Sequence, residues 1–151
     1  MSNHPVLDVV ADTHFRQASG LATRRNWLRW LMRSDNSLIS LDKVLGETPH
    51  GEQHSLGAKI VPLANIVGSE GRHDEFDRDF LPRKRYTKKR WMSIDKALHD
   101  DVYLPPVELV KLGQEYFVRD GNHRVSVARA HGQEYIDAYV SEVSVETPAA
   151  V

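Results

Sequence analysis

Cysteine is missing from this chain altogether. That excludes disulfides, thiolate metal sites and thiol nucleophiles, and it fits a cytoplasmic protein. No apolar run approaches the length of a membrane span, so no membrane partner is expected. The first ten residues have no basic stretch, and Asp8 interrupts the apolar run from Val6 to Val10, so no signal peptide is read there. Charge of one sign is not in excess either: the net charge is -1, and any affinity for nucleic acid must come from local patches.

What remains is ordinary for a globular protein. The chain has 151 residues, 40% hydrophobic and 27% charged, enough for one core with an appended element. Residues 1–12 read as a loosely ordered lead-in. A helix is predicted over Thr13–Met32, with Ala18, Leu21, Leu28, Leu31 and Met32 on one face, widened by Trp27 and Trp30. Arg25, Arg29 and Arg33 stand four apart and line one side of it, as a solvated face or as a contact for nucleic acid or an acidic partner. Exposed tryptophans there would suit a homodimer through the N-terminal helices. A second short helix is expected over Ser37–Gly46, with Ser40 as its cap.

Residues 46–57 carry turn formers and no periodicity, and they read as a linker. His50 and His54 stand four apart without a third ligand, so no metal site is assigned. The chain divides into an N-terminal helical element with its linker (1–57), an α/β (α+β) module (58–145) and a disordered tail (146–151). In the module, Lys59–Leu63 is a strand that Pro62 places at an edge or an end. Ile66–Arg72 is a loop whose glycines let a ligand approach. The acidic stretch His73–Asp79 reads as a solvated loop anchored by Phe76, Phe80 and Leu81. Arg83, Lys84, Arg85, Lys88, Lys89 and Arg90 put six cations in eight residues at the start of a helix running through Trp91, Ile94 and Leu98. A helix N-terminus disfavours cations, so contact with a polyanion such as DNA or RNA is weighed against a solvated surface. Strands follow at Tyr103–Leu112, at Glu115–Val118 and at Tyr135–Val143, the first two joined by a Gly113-Gln114 turn.

Between the second and third of these lies the most informative stretch, Asp120-Gly-Asn-His-Arg124, a tight turn opening a helix that Gly132 can end. Gly121 permits the turn, and Asp120 or Asn122 can cap the helix. Free N–H groups at a helix start attract anions, and His123 and Arg124 add donors, so phosphate is the expected guest.

In order and spacing these short motifs resemble the ParB/sulfiredoxin superfamily. Ile60-Val-Pro-Leu63, Arg72, Leu104-Pro-Pro-Val107, Tyr116–Ala128 and Ile136–Val140 follow the progression of the ParB N-terminal domain across roughly residues 59–143. The resemblance implies a small mixed sheet with flanking helices, here preceded by a helical segment. It implies a nucleoside triphosphate or diphosphate with Mg2+, held by Gly121, Asn122, His123 and Arg124, with Arg72 and the Ser69–Gly71 backbone opposite. Sulfiredoxins carry a catalytic cysteine in the equivalent turn, so their chemistry is excluded here. The Asp-Gly-x-His-Arg form is closer to the free serine kinases of the superfamily, in which case Glu70 or Asp120 would activate a hydroxyl. His123 stands where ParB proteins usually have arginine. Three functions follow as expectations: a nucleotide-binding protein acting as an NTPase or nucleotide-gated switch, a phosphotransferase on a small hydroxyl substrate, or a non-enzymatic DNA- or RNA-binding regulator.

Overall fold

A computed structural model describes residues 8–13, 15, 16, 18, 37–47, 50–71 and 74–145. The arginine stripe Arg25, Arg29, Arg33, the tryptophans Trp27 and Trp30, Arg72, His73 and the tail after Val145 lie outside the described residues.

Helical backbone at residues 8–13, 15, 16 and 18 (α1) replaces part of the expected lead-in. Ala11, Phe15 and Ala18 recur at helical spacing and are all buried, which is the apolar stripe that starts the helix early. Then come β1 (Ile39–Ser40), α2 (Leu41–Glu47), β2 (His50–Pro62), β3 (Ile66–Ser69), α3 (Lys88–His99), β4 (Val107–Leu112), β5 (Glu115–Asp120), α4 (Asn122–Ala130) and β6 (Tyr135–Val145). The expected second helix begins only at Leu41, since Ile39 and Ser40 pair in parallel with Gly68 and Ser69.

The strands form one six-stranded mixed sheet in the order β1-β3-β5-β4-β6-β2. This is the α/β class expected, with a small mixed sheet flanked by helices. The linker reading fails from His50 onward. Residues 50–62 form an edge strand antiparallel to β6, with register shifts between His50 and Gln53 and between Ser55 and Gly57. The turn-forming residues that suggested a linker sit at these irregularities, where a bulged strand tolerates them. β2 therefore crosses the boundary drawn at residue 57, and Pro62 ends it as expected. Ile66–Ser69, expected as loop, is strand β3 between β1 and β5. Gly68 makes that possible, because a Cβ there would lie 2.1 Å from the Ile39 carbonyl oxygen.

The sheet buries both faces. On one, Val61, Val107, Leu109, Val118, Ala138 and Val140 meet Trp91 of α3, Val125 and Val127 of α4, and Phe15 and Ala18 of α1. On the other, Val110, Phe117 and Val143 meet Leu41, Val44 and Leu45 of α2. Trp91 is fully buried, and Phe15 packs on it edge to face at 5.8 Å. The Trp91 indole N–H donates to Ser126 Oγ at 2.9 Å, and Ser126 Oγ donates to the Phe80 carbonyl. One chain of hydrogen bonds thus ties α3, α4 and the loop before α3 together. At the far end, His131 pairs with the buried Asp95. Lys88 and Lys96 of α3 pair with Asp12 and Asp8 of α1.

The acidic loop is not simply solvated: Glu75 and Asp77 are buried. Asp77 Oδ1 accepts from the backbone N–H groups of Asp79 and Leu81, both at 2.9 Å, and holds the loop in shape. Phe76 and Phe80 are fully buried, as their anchoring role requires. No helix among the described residues is long and apolar enough to cross a membrane.

Ser126→Ala leaves the buried indole N–H without its acceptor and should lower stability by about 1–3 kcal/mol, read as a fall in urea midpoint. An unchanged midpoint would show that the indole bond does not hold α3 in place. The Lys88 hydrogen bond holds the Asp12 carboxyl below its ordinary value of 3.8, with Arg16 and Lys88 charges adding to it. A depressed folded pKa stabilises above the unfolded value and ceases to do so as pH falls through the folded one. The wild type should therefore exceed Asp12→Asn in stability at neutral pH, and the margin should close as pH falls below about 3.8. Denaturation midpoints of both proteins across that range measure it.

Candidate functional site

Strands β3 and β5 run parallel as neighbours, so Ser69–Gly71 and Arg119–Gly121 leave the sheet side by side. Carboxyl ends of parallel strands are where such sheets take ligands. At the end of β5 the chain turns into α4 through Gly121, whose φ is 111°. A Cβ at this position would also lie 2.5 Å from Val107 Cγ1. Conformation and space both demand glycine.

Neither expected cap is used. Gly121 is the N-cap, and as glycine it offers no side-chain cap to the helix. Helix geometry leaves the first-turn N–H groups without intrahelical acceptors, and the residues from Asp120 to Arg124 line a cleft of about 420 Å³. Arg90 and Ile94 of α3, Arg119 of β5, and Asn122 and Arg124 of α4 line it. Asn122 is 8% exposed, and no hydrogen bond reaches its Oδ1 among the described residues. A buried amide oxygen without a partner is costly, and a ligand would relieve it.

The other residues of the turn are partly committed. Asp120 pairs with Arg124 Nη2 at 3.3 Å. Arg124 Nη1 donates to the carbonyls of Pro105 and Pro106, the latter at 3.0 Å, so this arginine also anchors the segment leading into β4. His123 is buried and meets Phe76 edge to face at 5.3 Å. Opposite, Ser69 is fully buried and its single hydroxyl proton has the carbonyls of Gly71 and Val118 as alternative acceptors, so the hydroxyl serves the loop. Glu70 pairs with Arg119 Nε at 2.8 Å, while Arg119 Nη2 donates to Gln53 Oε1 at 3.1 Å. Gly71 lines the cleft.

The basic run divides. Arg83 Nη1 donates to Ser37 Oγ at 3.0 Å, and Lys88 pairs with Asp12. Lys84, Arg85, Lys89 and Arg90 are exposed. Arg90 belongs to the cleft at the start of α4, and with His123 it also lines an adjoining cleft of about 700 Å³ that contains Glu75, Tyr86, Lys89 and Ser93. Two features read separately in the sequence, the turn and the basic run, share one groove. A third cavity of about 400 Å³ lies on the far side of Arg124, with a mostly apolar lining that includes Leu98, Leu104, Pro105 and Val127.

Sequence reasoning missed Arg119 and Gln53 and assigned Arg90 to another surface. The available signal for Arg119 was its place on β5 immediately before Asp120-Gly121. Nothing local marks Gln53, which reaches the site only because β2 pairs with β6 along its full length.

No protein-family model matches the chain, and no curated protein matches it. Among solved structures, the crystal structure of sulfiredoxin from Arabidopsis thaliana is similar at 13% identity and a TM-score of 0.36. The match covers 55% of this chain and 82% of that one.

Gly121→Ala combines a disfavoured φ with a clash against Val107 and should destabilise the protein by about 1–3 kcal/mol. Thermal denaturation measures it, and Gly71→Ala, where a Cβ meets nothing within 4 Å, is the control expected to be near neutral.

Proposed function

We propose that this chain binds the phosphate groups of a nucleoside triphosphate or diphosphate at the start of α4, and that the bound nucleotide is hydrolysed or acts as a switch. One observation carries the reading: an uncapped helix start opens on a cleft bordered by three guanidinium groups, Arg90, Arg119 and Arg124, beside the orphaned Asn122 Oδ1. Phosphate oxygens would accept from the first-turn N–H groups and from the arginines, and the helix dipole favours their charge. The ParB/sulfiredoxin-like order of motifs supports the same turn as the place for them.

Mg2+ fits this arrangement only as a companion of the phosphates. No three His, Asp or Glu side chains converge as a metal cage among the described residues. Phosphate oxygens and water would supply most ligands, with Asn122 Oδ1 as the hard oxygen offered by the protein. Bound so, Mg2+ would neutralise charge on the phosphates. The Asn122 amide also serves after a half-turn, when Nδ2 would donate to a phosphate oxygen. The two carboxylates considered as bases for phosphoryl transfer, Glu70 and Asp120, each sit in an ion pair with an arginine, which favours binding over transfer as the primary reading.

Calorimetric titration of CTP, ATP and ADP with Mg2+ tests it. The wild type should bind at least one of them, and Arg90→Ala should weaken that binding about tenfold or more, as loss of a charge-assisted hydrogen bond implies. Arg90 is exposed, so its removal should leave the melting temperature unchanged. Arg124→Ala should abolish binding, with circular dichroism as the check on folding because of its contacts to Pro105 and Pro106. Absence of binding by every nucleotide to the wild type would reject the proposal.

A further inference from the structure

The adjoining cleft is organised around an aromatic ring. Tyr86 is 69% exposed, yet its position is fixed at both ends. Its hydroxyl donates to Glu75 Oε1 at 3.0 Å, and Glu75 is 6% exposed. Its backbone lies in a single 3-10 turn, Arg85–Thr87, that leads directly into α3. Thr87 Oγ1 closes this turn by donating to the Lys84 carbonyl at 2.7 Å, and Thr87 is 3% exposed. A rigidly held, exposed ring is a binding platform that costs little order to use.

The cleft that holds Tyr86 adjoins the phosphate-type cleft, and Arg90 and His123 line both. A ligand whose anionic end sits at the start of α4 can extend past Arg90 towards Tyr86, with Lys89 and Ser93 beside it. A flat, uncharged heterocycle joined to phosphates by a hydroxyl-bearing linker matches this sequence of surfaces. We propose that Tyr86 is the platform on which the nucleobase stacks. The inference rests on the phosphate reading above and adds the second half of the ligand. Every base has a π-face, so stacking of this kind tolerates base identity. ATP, CTP, GTP and UTP should accordingly bind within roughly tenfold of one another, purines tighter than pyrimidines.

Titration of magnesium tripolyphosphate, ATP and CTP into the wild type, Tyr86→Ala and Tyr86→Phe separates the two halves. The wild type should bind ATP about tenfold or more tightly than tripolyphosphate. Tyr86→Ala should bring ATP and CTP down to the affinity of tripolyphosphate and leave tripolyphosphate itself unaltered. Tyr86→Phe, which keeps the ring, should keep most of the nucleotide affinity. Equal loss for all three ligands in Tyr86→Ala, or no loss for any, would overturn the stacking role while leaving the phosphate site standing. Failure of the wild type to bind either tripolyphosphate or nucleotide would overturn both.

Discussion

A single buried indole N–H sets the geometry on which the groove depends. Trp91 lies fully inside the core, and its one polar atom finds an acceptor in Ser126 of the neighbouring helix. Burying a tryptophan without that acceptor would forfeit much of what its apolar area contributes. The requirement therefore locks α3 against α4 at one register. Ser126 passes the constraint to the Phe80 carbonyl, and thereby to the loop that carries Glu75. Arg90 and Ser93 lie within two residues of Trp91 on α3, and Asn122 and His123 start α4, so the spacing across the clefts follows from how α3 packs on α4.

The sheet supplies the other half of the arrangement. Two parallel strands, β3 and β5, deliver two loops to one end, and glycine is placed where the backbone has no room for a side chain. Gly68 admits β1 beside β3, and Gly121 lets β5 turn into α4 over Val107. The helix start is left without a side-chain cap, an arrangement that lowers stability unless something else meets its N–H groups. Local stability is given up at the same place where, among the described residues, a buried amide oxygen lacks a partner, and the proposed ligand rests on the coincidence of the two.

Cations in this protein do two different jobs, which their positions tell apart. Lys88 and Lys96 fasten α1 to α3, Arg83 ties the loop to Ser37, and Arg129 donates to the carbonyls of Leu63 and Ile66. These guanidinium and ammonium groups close gaps between elements that have few backbone bonds to each other. Arg90 instead lines the cleft, while Arg119 and Arg124 serve both purposes. A run of six basic residues in the sequence is thus no single surface, because successive residues on a 3-10 turn and helix point in different directions.

Local features were legible in the chain itself. The strand–turn–helix at Glu115–Ala130, the demand for glycine at 121, the anchoring by Phe76 and Phe80, the strand end at Pro62 and the α/β class follow from side-chain type, periodicity and turn chemistry, all short-range properties. What the sequence alone determined was therefore where the glycine turn and the helix start of the candidate site would stand. Only the tertiary structure decided what surrounds it. Strand β2 forms by pairing with residues some eighty positions later, which no local pattern encodes. Arg119, Arg90 and Tyr86 converge on the turn because sheet order and the Trp91–Ser126 contact bring them there. Which arginines are spent on carbonyls and which reach the cleft depends on neighbours distant in sequence, and side-chain chemistry at each position is the same in either role.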